Sequence, residues 1–512
     1  MVRNKLSILP IISGILFALA WNNLLPAISL FVAFIPLLIL TDVEKTDTRR
    51  IFHQSFLAFF IFHLIAVWWI YKSGFWGFIA VISINSFLMA GLLSLSYFSK
   101  QIFGTFAGYW ALTAYWLSFE YLHYSWDLQW PFMNLGNWFG QIPALIQWYE
   151  YSGVLGGTLW VLLINIFIYE LFLSIKRKHF KSIFINSVFL LFIIIFPLLW
   201  SNSLLHKKIQ RGKTLQALII QPNINPYTEK YDKSLFQEQI NAQIYTAENN
   251  LDTSIDLLIF PETSLPLYLN RDSLNRNEII KHLQRLSMHY PRLSVIAGIY
   301  TYKIDKYDTL YYNTAIFIDK NKSFVLHDKS KLVPGVERTP FIRFLNFFPD
   351  WNADYGGINS SLQIAEEQTT FETKDFKIAV LICYESVFGN YSAQFAKKDA
   401  NIIAVITNDA WWGNTASYGQ ILMHSRLRAI ESRRQIIRVA NTGISALINE
   451  KGVLIKSLPL NEKSALKLTA QANNRLTFYV KNGDIIGRIA VFTSIILLLA
   501  SYVRKKKEKY KV

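Results

Sequence analysis

About eight apolar runs, each near the 20 or so residues that a helix needs to cross a hydrocarbon core, constrain this chain most. They lie at 6–22, 25–41, 54–71, 75–97, 104–121, 153–174, 182–200 and 486–503, separated by short breaks such as Asn22-Asn23 with Pro26, Lys72-Ser73-Gly74 and Lys100. A water-soluble core cannot hide so much apolar sequence, so a multi-pass membrane bundle is expected. Composition agrees: 52% of the 512 residues are hydrophobic and 17% charged, against roughly 25% charged in an average soluble chain. The stretch 205–482 has ordinary globular texture instead. The expected division is a transmembrane bundle of about seven helices at 1–204, a globular domain at 205–482, and a last transmembrane helix with a basic tail at 483–512. A purely soluble enzyme and a disordered chain are excluded. The single cysteine, Cys383, excludes an intramolecular disulfide and a cysteine-based zinc cluster.

Arg3 and Lys5 precede the first run, and Ala18-Leu19-Ala20 resembles a signal-peptide cleavage site. Because a second apolar run follows almost at once, a retained helix is the expectation. Charge then orients the bundle. Lys+Arg 52 against Asp+Glu 35 gives a net charge of +17, which by itself suits nucleic acid or an anionic membrane. Threading the runs alternately puts Arg3, Lys5, Lys45, Arg49, Arg50, Lys100, Lys176, Arg177, Lys178 and Lys181 on one side. The tail Arg504-Lys505-Lys506-Lys507, with Lys509 and Lys511, falls there too. The opposite short loops offer only Lys72, and 122–152 contains neither Lys nor Arg. The positive-inside rule therefore predicts both termini in the cytoplasm and 205–482 outside it.

On that outer side, 121–138 carries Tyr121, Tyr124, Trp126, Trp130, Phe132 and Trp138. Such a density predicts an aromatic belt in the headgroup layer; the alternative is a lip that handles lipid. Glu120, at the end of a run, is a functional candidate by default, unless it simply reaches the interface.

Within 205–482, β-rich runs at 215–220, 256–260, 293–300, 312–319, 376–383, 401–407, 436–440 and 444–449 read as strands. Helices are predicted at 233–249, 277–289 and 417–434. The alternation argues for an α/β fold with functional groups at the carboxyl ends of strands. Three ends carry chemistry. Glu262, leaving a buried strand between Pro261 and Pro266, is placed for desolvation and general-base work, or else for accepting loop hydrogen bonds. The basic loop Lys329-Ser330-Lys331 can stabilise an oxyanion or lower a thiol pKa, or be merely solvated. Cys383 ends an apolar strand and meets Tyr384 and Glu385, as a packed thiol or a nucleophile.

Together these ends resemble the carbon–nitrogen hydrolase (nitrilase) superfamily. The matching residues are Pro261-Glu262, Lys329-x-x-Leu332-Val333-Pro334, Cys383-Tyr384-Glu385, Thr407-Asn408-Asp409-Ala410-Trp411-Trp412-Gly413, and Arg426–Glu431 through Ala440–Ser445. With the apolar runs around it, the whole chain looks like the lipoprotein N-acyltransferase branch of that superfamily. The resemblance implies an αββα sandwich beside an α-helical transmembrane bundle. It implies Glu262 as base, Lys329 as charge stabiliser and Cys383 as nucleophile, with Glu337, Tyr384 and Glu385 in support. Lys331 competes with Lys329, which the spacing to Leu332-Val333-Pro334 favours. Two departures stand out: Pro334-Gly335-Val336-Glu337 where the family has Pro-Phe-Gly-Glu, and Tyr231 in place of a tryptophan.

The implied reaction moves a fatty acyl chain from a phospholipid to Cys383 as a thioester. The chain then passes to the N-terminal α-amine of a diacylglyceryl-cysteine lipoprotein. The implied setting is a bacterial inner membrane, with a monomer whose catalytic domain lies on the periplasmic face. No cofactor or metal is expected, since no phosphate-binding glycine loop or ligand cluster is present in the sequence. The aromatic stretch 338–371, with Phe341, Phe344, Phe347, Phe348, Trp351 and Tyr355, is expected to act as a lid. Three readings compete: a membrane-anchored amidase using water; a Cys383–His424 or Cys383–His327 pair, with His424 at a surface or cap; and a non-catalytic lipid-binding protein.

Overall fold

The protein is described by a computed structural model covering residues 7–22, 28–43, 47–209, 212–306, 308–320, 324–341 and 362–509. Four residues of the expected basic side (Arg3, Lys5, Lys45 and Lys511) and the lid's Phe344, Phe347, Phe348, Trp351 and Tyr355 lie outside these residues. The chain forms two compact units, Met1–His206 with Asp484–Val512, and Lys207–Gly483.

The first unit is helical: α1 (Leu9–Trp21), α2 (Ile35–Thr41), α3 (Thr48–Ala66), α4 (Phe75–Phe103), α5 (Thr105–Leu122), α6 (Val154–Lys176), α7 (Phe180–His206) and a last helix, Ile485–Lys509. Among the described residues, α4, α6, α7 and the last helix are long and apolar enough to cross a membrane. The most apolar window of α7 buries none of its residues inside the protein, and Phe180, Phe184 and Leu199 stand outward. An apolar surface of that extent is unstable against water and matches a hydrocarbon solvent.

The second apolar run departs from expectation. It yields only α2, seven residues long. At 1.5 Å per residue that helix covers about 10 Å, a third of the roughly 30 Å core. Pro36 suits the first turn of a helix. The turns before it are held from α6 by Asn165, whose Oδ1 accepts from the Phe34 amide at 2.9 Å while its Nδ2 donates to the Leu30 carbonyl at 3.0 Å. Non-helical backbone survives at such a place because a side chain completes its hydrogen bonds.

The aromatic segment divides: Tyr121, Tyr124, Trp126 and Trp130 stay partly exposed, whereas residues 131–140, with Phe132 and Trp138, are all buried. Glu120 fixes them: its carboxylate accepts from Trp116 Nε1 (3.0 Å), the Leu135 amide (2.9 Å) and Thr158 Oγ1 (2.6 Å). Glu120 therefore stays inside the bundle rather than reaching the interface. Gly136 lies so close to α6 that a Cβ there would fall 2.0 Å from the Val154 carbonyl.

The second unit contains two sheets. In the first, β1 (Thr214–Gln221), β2 (Leu257–Ile259) and β4 (Ser294–Asp305) run parallel, flanked by β13 (Ser464–Gln471) on one side and by β5 (Asp308–Ile318) and β6 (Phe324–Asp328) on the other. In the second, β8 (Lys377–Ile382), β9 (Ile402–Thr407) and β10 (Ile436–Ala440) run parallel between β7 (Thr370–Glu372) and the pair β11 (Ala446–Ile448) and β12 (Leu454–Ser457). One face of each sheet contributes to a shared apolar cluster, including Ile219, Ile259, Ile296, Val380, Ile406 and Val439. The other face of the first sheet packs on α8 (Phe236–Glu248) and α9 (Glu278–His289) through Ile240, Ile280 and Leu283. Strand–helix alternation with β-branched strands produces this layering. A helix absent from the sequence reading, α10 (Gly389–Lys397), follows Cys383, and α11 (Ser417–Ser432) follows β9.

Candidate active site

All three candidate residues leave the carboxyl ends of strands, and each end is shaped by a local irregularity. The first sheet contains a short β3 (Leu265–Asn270) that pairs with the far half of β4, while β2 pairs with its near half. Between β2 and β3 the chain must leave the sheet, and Glu262 stands in that gap. The Phe260 amide donates to the Ile296 carbonyl (2.8 Å) and the Gly298 amide to the Pro261 carbonyl (3.2 Å). Gly298 has to be glycine: a Cβ would lie 2.4 Å from the Thr263 amide and 2.6 Å from Glu262 Cα. Thr263 follows at φ +46°, an uncommon conformation for a β-branched residue.

Lys329 directly follows β6, and its amide donates to the Asn313 carbonyl at 2.8 Å. Its Nζ lies 3.0 Å from Glu262 Oε1 and 2.8 Å from Glu337 Oε1, with all three side chains buried or nearly so. Asn313 on β5 spans the same two carboxylates, donating to Glu262 at 2.9 Å and to Glu337 at 3.4 Å. Burial alone would lower the pKa of Lys329, but the charges of Glu262 and Glu337 carry it well above the usual lysine value. Lys329 is thus a fixed cation. The Pro334-Gly335-Val336-Glu337 turn still aims its glutamate inward: Gly335 adopts φ +79°, and Glu337 Oε2 accepts from the Val333 amide at 2.9 Å.

Cys383 begins the 3₁₀ turn after β8, at φ +50°. A left-handed, non-glycine residue at a strand end is strained and persists only where its surroundings hold it. Glu385 does much of that holding. Fully buried, it accepts from the Ile382 amide (2.8 Å), the Ser330 amide (2.6 Å) and the Tyr391 hydroxyl (2.9 Å). It therefore ties the cysteine turn to the lysine loop. Burial would raise its pKa, yet His327 and these amides hold its carboxyl below the usual range. Arg428 of α11 donates to the Ser386 and Val387 carbonyls at 3.1 and 2.6 Å, while its Nε pairs with Glu431 at 2.8 Å. Burial, followed by the negative charge of Glu262, pushes the Cys383 thiol up to about 12, against the opposing pull of Lys329 and a hydrogen bond from Thr407. A thiol at that value stays protonated at neutral pH.

The Thr407-Asn408-Asp409 motif backs this turn. Arg438 Nη2 donates to both carboxylate oxygens of buried Asp409, at 3.0 and 2.8 Å, and a Cβ on Gly443 would meet Asp409 Oδ2 at 2.5 Å. Tyr231 lies against Trp411, ring centroids 6.2 Å apart. Tyr384 is buried edge-on to Phe388. Lys331 sits over the Phe388 ring at 5.0 Å, so Lys329 is the lysine that meets Glu262. His327 lies 3.5 Å from Glu385. His424, expected at a surface or cap, is completely buried on α11. Burial and the charge of Arg428 hold its pKa well below the usual histidine value.

Sequence reasoning missed Asn313, Gly298 and Lys230. Asn313 and Gly298 sit inside strands, where neither residue type signals a site. Lys230 is one lysine among many in a polar loop, and only burial singles it out.

Residues 217–474 match the carbon–nitrogen hydrolase family, and residues 13–167 match the apolipoprotein N-acyltransferase N-terminal domain. Apolipoprotein N-acyltransferases similar to this chain include that of Chlorobaculum tepidum, 25% identical over 97% of both chains. That of Rickettsia bellii is 28% identical over 99% of both. The Rickettsia typhi protein is 30% identical over 68% of this chain and 67% of its own. A hydrolase-type α/β unit joined to apolar helices, each with its own family match, places the chain in the apolipoprotein N-acyltransferase family of the carbon–nitrogen hydrolase superfamily.

Proposed function

We propose that the chain is a membrane enzyme transferring a fatty acyl chain from a phospholipid to the α-amine of a diacylglyceryl-cysteine lipoprotein, with Cys383 as nucleophile. Glu262 takes the thiol proton as sulfur attacks the ester carbonyl. The tetrahedral oxyanion is steadied by Lys329 and a backbone N–H near Cys383. As the intermediate collapses, the C–O bond breaks, Glu262 returns the proton to the departing alkoxide, and a lysophospholipid leaves an acyl thioester. The lipoprotein amine then attacks the thioester and gives up a proton to Glu262; the C–S bond breaks as the amide forms, and Glu262 returns the proton to the departing sulfur, restoring the thiol. Glu337 shares Lys329 with Glu262, which keeps that lysine charged and in place. Glu385 and Tyr384 support the cysteine turn.

The observation that carries this reading is Lys329 held between Glu262 and Glu337 where the charges of Glu262 and Lys329 both act on the Cys383 thiol. We further infer about eight passes, the second completed by the turns at 28–34 together with α2 rather than by helix alone, an αββα sandwich for Lys207–Gly483, that domain on the periplasmic face, and both termini in the cytoplasm. The basic residues at Lys176-Arg177-Lys178 and Arg504-Lys505-Lys506-Lys507 support this orientation. Incubating the purified protein with phospholipid carrying a labelled acyl chain, then with a diacylated lipopeptide, tests the function. A labelled adduct on Cys383 that moves to the peptide amine is expected. Free fatty acid without N-acylated peptide would mean a hydrolase.

A further inference from the structure

A second lysine is sealed into the same site. Lys230, in the loop before α8, is 3% exposed. Its amide donates to the Asn225 carbonyl at 2.9 Å, and its Nζ donates to Thr263 Oγ1. Among the described residues Thr263 is its only side-chain hydrogen-bond partner, although an ammonium group carries three N–H donors. A buried lysine without a carboxylate partner is unusual, since removing an ammonium from water costs several kcal/mol by itself.

Its neighbours explain why it is there. Glu262 and Glu337 share the one cation Lys329, so that buried cluster carries a net negative charge. Acyl transfer passes a further proton and charge between Glu262 and Cys383. The groups acting on Lys230 are those: the negative charges of Glu262 and Cys383 favour its charged form, Lys329 opposes it, and burial outweighs them to bring its pKa down to about 8. Thr263, which receives its hydrogen bond, is the strained residue next to Glu262.

We propose that Lys230 is a second cation of the active site, anchored on Thr263 so that its charge offsets the negative charge exchanged between Glu262 and Cys383 during acyl transfer. It works through those two groups rather than by touching the reacting atoms, so it is a positioning residue. The inference rests on the triad proposed above.

The full-length protein in phospholipid–detergent micelles decides the matter, with the rate of acylation at Cys383 followed by mass spectrometry across pH 6–10. Lys230→Met is expected to acylate about 100-fold more slowly. Lys230→Gln keeps a donor for Thr263 without the charge, and should fall nearly as far. In the parent, the rate should decline above about pH 8 as Lys230 loses its proton, and neither variant should show that decline. Thr263→Val, which retains the charge, should lose much less and keep the decline. Should Lys230→Met fail to fold, Lys230→Gln carries the comparison. Parent-like rates and an unmoved pH profile in Lys230→Gln would overturn the inference and leave Lys230 a structural anchor. Failure to acylate Cys383 in the parent would sink the triad instead.

Discussion

One buried polar cluster in each unit invites comparison, because the two are satisfied to different degrees. In the helical unit, Glu120 accepts three hydrogen bonds and Asn165 completes the backbone before α2. These groups are fully engaged, and what they hold is shape. In the α/β unit, Lys329 bridges two carboxylates, Lys230 has donors to spare, and Cys383 sits strained beside them. Those groups are constrained without being exhausted. A satisfied buried polar network fixes a fold, whereas one with unused capacity is what chemistry requires.

The contrast can be broken at several points. Cys383→Ser should reduce acyl transfer by on the order of 10⁴-fold or more while leaving the thermal transition in place. Since Cys383 is the only cysteine, the labelled adduct should vanish with it. Glu262→Gln should slow acylation by about 10²–10⁴-fold, the range of a lost general base. If it acylates at the parent rate, the proton goes elsewhere.

Gly298→Ala tests position rather than chemistry. The added methyl meets the backbone of Glu262 and Thr263, so the rate should fall about 100-fold with the triad chemically intact. A normal rate would mean that the gap tolerates movement. Glu120→Gln should invert the pattern, lowering the stability of the helical unit by about 1–3 kcal/mol while acylation per folded molecule stays near normal. A selective loss of activity at unchanged stability would move Glu120 into the functional class.

The smallest effect is a difference in reactivity. With the thiol pushed up to about 12, iodoacetamide should label Cys383 more slowly at neutral pH than it labels an ordinary cysteine, and faster as pH rises. Rapid labelling at pH 7 would mean a preformed thiolate with no need of Glu262.

Much of the α/β unit is readable from sequence, because its central strands are short, largely apolar runs with most side chains buried on both faces. Strands 215–220, 402–407 and 436–440 are of this kind. The edges are less legible. Strand β3 contains Pro266 and so looks like loop, whereas β13, alternating Lys467 and Thr469 with buried Leu468 and Ala470, carries a strand pattern that the sequence reading passed over. Glu262 and Cys383 are visible because each closes an apolar run, whereas Lys329, which follows His327-Asp328, is visible only through its spacing to Leu332-Val333-Pro334. Asn313, Gly298 and Lys230 are invisible because what matters about them is what they lie against. The interruption before α2 was hidden for the same reason: it depends on Asn165, more than a hundred residues away.

The break between β2 and β3 has one more consequence. Since β2 pairs with β4 up to Ile296 and Leu265 opens β3 opposite Ile299, the five residues from 260 to 264 work as a ruler. Adding or deleting one residue there would put a neighbour in the place of Glu262 even if every strand stayed intact. Loops far from this gap can drift in length over evolutionary time; this one cannot, and grafting it between homologues should succeed only at equal length.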